Sequence, residues 1–185
     1  MAFQKIKVLI LFFILFLSGC IKKSLTLQDL PPATTIGANT FGCLIDGTGF
    51  EPLQFYYLGF TKVYSNDSLP NTKKFFIGGL NSIQSPNRTL NLSASGIVFH
   101  AGDQIPIQTA QIKHAVSAVY YLYGTGFQQT QVVDIFKSTN SSSNILSISK
   151  LDTLHRILSG TFSFDMVDSL GKVSQIREGR FEILY

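Results

Sequence analysis

The sequence predicts an all-β protein with at most one short helix, an antiparallel β-sandwich in the first instance and a barrel as the alternative. Three observations carry this. From Leu158 the apolar residues Leu158, Phe162, Phe164 and Met166 alternate with Ser159, Thr161, Ser163 and Asp165, which is the period-two mark of a half-buried strand. Short runs rich in β-branched and aromatic residues recur along the chain, separated by Gly, Pro, Asn and Ser turn signals. Apolar residues show no stripe at helical spacing over three turns. The best helical candidate is Thr109 to Val119, where Ile112, Val116 and Val119 are suitably spaced.

Taken in order, residues 21–38 lack periodicity and contain Pro31-Pro32, Thr34-Thr35 and Gly37, a composition that reads as a stiffened spacer. Phe41 to Ile45 is an apolar run closed by Asp46-Gly47-Thr48-Gly49, and Leu53 to Phe60 is rich in aromatics. Lys74 to Leu80, Leu90 to Phe99, Val116 to Tyr123, Gln131 to Phe136 and Ile145 to Ile148 are further strand candidates, with a polar loop over residues 138–143. The tetrapeptide Gly-Thr-Gly-Phe occurs at Gly47 and again at Gly124, and both copies read as tight turns. The C-terminal strand turns at Asp168 to Lys172 and returns with Phe181, Ile183 and Tyr185 opposed by Arg180 and Glu182, a hairpin.

The N-terminus is organised differently. Lys5 and Lys7 precede the unbroken apolar run Val8 to Leu17, and Ser18-Gly19 then lead to Cys20. A charged start, an apolar stretch too short to span a bilayer and small residues before the cut describe an export signal. Leu17-Ser18-Gly19-Cys20 resembles the lipobox of bacterial lipoproteins at all four positions. The resemblance implies cleavage before Cys20, a diacylglyceryl thioether on its sulfur and acylation of the new amine. Several acyl chains hold a protein to a membrane where one is marginal. The expected organisation is a signal peptide over 1–19, a lipidated tether over 20–38 and one β domain over 39–185. By random-coil scaling such a tether would hold the domain roughly 20–30 Å from the bilayer. Ile21-Lys22-Lys23-Ser24 lacks the acidic residues that mark surface-exposed lipoproteins of the Bacteroidetes type, so the expected address is the outer membrane, facing the periplasm. Lipidation of Cys20 would leave Cys43 as the sole thiol, and its neighbours Phe41, Leu44 and Ile45 favour burial.

Two stretches carry a wider resemblance. Leu30-Pro31-Pro32-Ala33-Thr34, leading into Gly37-Ala38-Asn39-Thr40-Phe41-Gly42-Cys43, is similar to the start of a family of uncharacterised Bacteroidetes lipoproteins. Leu151-Asp152-Thr153 through Ser159 to Phe164, and Glu178 to Ile183, resemble that family's ending. The likeness brackets nearly the whole mature chain and implies Cys43 in a buried strand. It supplies no catalytic residues.

Composition narrows the functional classes. Removing the signal leaves 13 basic side chains against 11 acidic ones, scattered along the chain, which gives no phosphate-binding stripe and no expectation of a nucleic-acid partner. No nucleophile elbow, metal-binding helix, Cys pair or phosphate loop occurs, so no catalytic residue, metal or cofactor is expected. His100, His114 and His155 stand apart, although His100-Ala-Gly-Asp103 would pair an imidazole with a carboxylate across a turn. Tyr57 and Tyr121 are the candidate ligand-stacking aromatics, their neighbours Tyr56 and Tyr120 facing the other way on a strand. Asp67-Ser68-Leu69, Asp152-Thr153-Leu154 and Asp168-Ser169-Leu170 resemble the acceptor triplet of the general O-glycosylation system of Bacteroidetes envelope proteins, making Ser68, Thr153 and Ser169 candidate acceptors. The same triplets are good turn-formers. The function these features imply is a non-catalytic binding module for a partner protein or a small or glycan ligand. A structural envelope component, or a hydrolase without a familiar motif, is the alternative. Changing Cys20 to Ala is expected to leave an unprocessed precursor of higher mass. Unmodified mature protein beginning at another residue in wild-type cells would refute the anchor.

Overall fold

The computed structural model describes residues 25–52, 60–64 (backbone), 74–82, 86–109, 115–125 and 131–185. Within them lie eleven strands: β1 Thr40–Ile45, β2 Thr48–Phe50, β3 Phe60–Tyr64, β4 Lys74–Asn81, β5 Arg88–Ser95, β6 Gln104–Pro106, β7 Ser117–Tyr123, β8 Val132–Ser138, β9 Ile145–Asp152, β10 Ile157–Val167 and β11 Val173–Leu184. They form one antiparallel sheet, nine of them in the order β2-β1-β11-β10-β8-β7-β5-β4-β3 with β9 and β6 off this path, coiled into a nearly closed barrel. The fold class is as expected, on the barrel side of the two alternatives.

β10 and β11 are the spine. Ile157 to Ser163 of β10 pair with β9, whereas Met166 and Val167 pair with Ser138 and Lys137 of β8. One long strand thus serves two shorter ones, and β6 adds to the far side of β9. The alternation read from sequence holds: Leu158, Phe162, Phe164 and Met166 are all buried. Across the barrel, Phe75 of β4 meets Phe181 of β11 at 5.9 Å between ring centroids and Phe99 edge-on at 5.1 Å. Burying each such side chain stabilises the fold by about 1.5–3 kcal/mol.

Two glycines let aromatic rings cross the spine. Gly160 stands opposite Phe181, and Gly179 opposite Phe162. A Cβ at Gly179 would lie 2.2 Å from the Phe162 ring, and one at Gly160 would lie 2.3 Å from the carbonyl oxygen of Ser147. The Phe162 ring lies across Gly179 and stacks on Phe41 of β1 at 5.4 Å. Beside it β11 carries a bulge, where the register with both β1 and β10 shifts around Arg177 and Glu178. Glu178 takes φ 53° there. The extra residue bends the strand and moves the inward set from Ser174 and Ile176 to Gly179, Phe181 and Ile183.

Two local expectations change. Thr109 to Val119 is not a helix where it is described: Ser117 to Val119 open β7, Val116 bridges Ile107, and residues 110–114 lie outside the described set. β7 finds strands on both sides, and that pairing outweighs local apolar spacing. The first Gly-Thr-Gly-Phe is mostly strand. The turn is Asp46-Gly47, both at positive φ as a two-residue hairpin requires, and Thr48 to Phe50 return as β2. Phe164→Ala is expected to cost about 3–5 kcal/mol in denaturant unfolding. Ser163→Ala, on the outer face, is expected to cost less than about 1 kcal/mol. The reverse ranking would contradict the register.

Candidate functional site

Glu182 alternates outward on β11, between Phe181 and Ile183, and should meet water. It is 1 % exposed. Its cover is the segment expected to be spacer: residues 25–38 do not hang free but lie along the outer face of β1, β11 and β10. A buried carboxylate is costly unless hydrogen-bonded. Here the Thr34 hydroxyl donates to Oε2 and the Gly37 amide to Oε1. Lys150 Nζ donates to the Thr35 carbonyl at 3.0 Å, and the Leu184 amide to Asn39 Oδ1 at 2.9 Å. Leu30 is buried, and Pro31 closes on Gly42, where a Cβ would stand 2.9 Å from the proline ring. Upstream, the Gly49 amide donates to the Leu25 carbonyl at 2.8 Å. A single 3₁₀ turn, Leu27–Asp29, follows, closed by the Asp29 carboxylate on the amide and hydroxyl of Thr26. Ser159, in register with Glu182, is buried beneath the same strap, and its hydroxyl has no partner among the described groups.

Beside the strap, the outer faces of β9, β10 and β11 form a shallow cleft of about 500 Å³, walled on one side by Ala33. Strand register sets its floor in two rows: Ser147, Thr161 and Arg180 face one another, and Ile145 and Ser163 lie opposite the bulge that carries Arg177. The guanidinium groups are held in place. Arg177 Nη2 meets Asp165 Oδ1 at 2.6 Å, and its Nη1 donates to the carbonyls of Phe164 and Ile176. Arg180 donates to the Glu178 and Pro31 carbonyls. Each arginine is matched by an acid, Asp165 for Arg177 and Glu178 for Arg180. The cleft therefore offers fixed donors and hydroxyls with little net charge, suited to hydrogen-bonding a neutral polar ligand.

The residues singled out from sequence are dispersed. Cys20, Tyr57, Ser68 and His114 lie outside the described residues. Tyr121 is half-buried on the outer face of β7, opposite Thr89 and Ile135, and lines neither this cleft nor the larger one beside β8. Tyr120 points inward against Phe136, and burial pushes its hydroxyl up to about 12. Cys43 is fully buried in β1, and desolvation raises its thiol far out of reach of the thiolate. His100 and Asp103 do meet, through the His100 amide at 2.7 Å and the ring at 3.4 Å, but on an exposed turn made by Gly102. Among the described residues no three His, Cys, Asp or Glu gather as a metal would need.

Thr153 and Ser169 are both exposed, each directly after an aspartate that ties its own turn. The Asp152 carboxylate accepts the Leu154 and His155 amides and the His155 ring. The amide bond from His155, then its ring, hold that carboxyl down at about 2. Asp168 accepts the Leu170 and Lys172 amides at 2.8 Å. Sequence reading missed Glu182 as a buried acid and missed the cleft, since both depend on which segments lie side by side. No family model, no curated protein and no solved structure matches the chain.

Proposed function

We propose that the chain is a lipoprotein of the Bacteroidetes envelope, held to the outer membrane by acyl chains on Cys20 and facing the periplasm. Its barrel serves as a non-catalytic binding module for a small or glycan ligand or a partner protein. The anchor rests on the lipobox sequence. The observation that favours binding is the cleft of about 500 Å³ beside the strap, with Ser147, Thr161 and Ser163 on its floor and two pre-positioned guanidinium groups at its edge. Its acids are already engaged by arginines, which suits recognition of a hydroxyl-rich ligand better than proton transfer.

Calorimetric titration of the intact lipoprotein with soluble peptidoglycan fragments and neutral oligosaccharides tests this. Saturable binding is expected, with Thr161→Val weakening it about fivefold, the effect of one lost hydrogen bond. Arg180→Ala is expected to weaken it further. Binding that neither substitution alters would place the ligand elsewhere, and no binding to either class would favour a structural role.

A further inference from the structure

Exposed large apolar side chains gather at both ends of the barrel: Ile36, Leu154 and Leu184 at the end where β9 turns into β10, and a larger group at the other. Leu170, 93 % exposed, caps the β10–β11 turn, and Val173 (56 %) opens β11 beside Val167 on the same outer face. β8 meets β10 only at Lys137 and Ser138, so its residues 132–136 run on past the end of β10. There Val133 (53 %) and Ile135 (42 %), with Val132 and Val167, line a cleft of about 770 Å³ against the same turn. The Asp46–Gly47 turn is tied to this end as well: Ser174 Oγ and the Gln175 amide donate to the Asp46 carboxylate at 2.9 and 2.7 Å. Through β2, Gly49 then holds Leu25 level with Leu44 and Arg177, on the half of the barrel nearer this end, and Leu27 stands half-exposed on the 3₁₀ turn that follows.

The point where the chain leaves for Cys20 is thus nearer this patch than the apolar residues around Leu154. Docking of residues 25–38 leaves four residues between Cys20 and Leu25, five Cα–Cα steps that at full extension span at most about 18 Å. An exposed apolar patch of this kind calls for a cover. We propose that the cover is the bilayer that holds Cys20. The barrel stands with Leu170, Val173, Val133, Ile135 and Leu27 in the headgroup region, an orientation that rests on the lipid-anchor reading. The leash selects lipid over a partner protein because it brings the membrane to this end whatever else is present. The turn at Leu154 (83 % exposed) lies at the opposite end of β10, about 30 Å away along the strand, and stays in water.

Matched single-cysteine variants test the orientation. Cys43 is buried and will not label, and Cys20 is a thioether, so Leu170→Cys and Leu154→Cys each carry one reactive thiol on an exposed turn. The acylated proteins, their lipid confirmed by intact mass and their fold by cooperative unfolding, are labelled with an environment-sensitive fluorophore. They are then reconstituted in phosphatidylethanolamine–phosphatidylglycerol vesicles containing spin-labelled lipid. The label at 170 is expected to be blue-shifted and quenched severalfold more than the label at 154. Equal quenching, stronger quenching at 154, or a blue shift at 170 without lipid quenching overturns the orientation and leaves the anchor standing. A mass without acyl chains overturns the anchor, and the orientation with it.

Discussion

The arrangement depends on one carboxylate. Glu182 sits on the outer face of the longest strand, where alternation would leave it in water, and the strap seals it from solvent while supplying two hydrogen bonds. Left uncovered but still dehydrated, such a group would cost far more than the bonds contribute. The acid and the strap are therefore stable together. This pairing converts an apparent spacer into part of the barrel wall. It supplies Ala33 to the cleft.

The bulge at Arg177 and Glu178 is the second constraint. Without it the alternation of Ser174 and Ile176 would continue, and Phe181 and Ile183 would turn outward. With it, both halves of β11 bury their apolar side, and Arg177 and Arg180 emerge on one surface three residues apart. Gly179 and Gly160 flank the bend and admit Phe162 and Phe181 across the hairpin, so the packing that curves the spine also sets the cleft floor.

Much of this was legible in the sequence, unevenly. Leu158 to Met166 alternate so regularly that face and strand type follow directly, and Cys43 between Phe41 and Leu44 reads correctly as buried. Glu182 does not, because alternation assigns a side but says nothing of what lies on top of it. Residues 25–38 have no periodicity because they form neither helix nor strand beyond one 3₁₀ turn. Their order comes from scattered bonds to β2, β9 and β11, which leave no local signature. Thr109 to Val119 misled for the opposite reason, since the spacing of Ile112, Val116 and Val119 fits a helix until neighbouring strands are known. Segments far apart in sequence meet here: Thr34 and Gly37 bond to Glu182, and Asn39 to Leu184.

Amide hydrogen exchange at Gly37 tests that contact most directly. In the wild-type protein the Gly37 amide, donated to the Glu182 carboxylate, is expected to exchange as slowly as amides of the outer strands. In Glu182→Ala it is expected to approach the random-coil rate while the β10–β11 amides stay protected. A Gly37 amide that exchanges freely in the wild type would mean that residues 25–38 are a loose tether, and that Glu182 is not sealed by them.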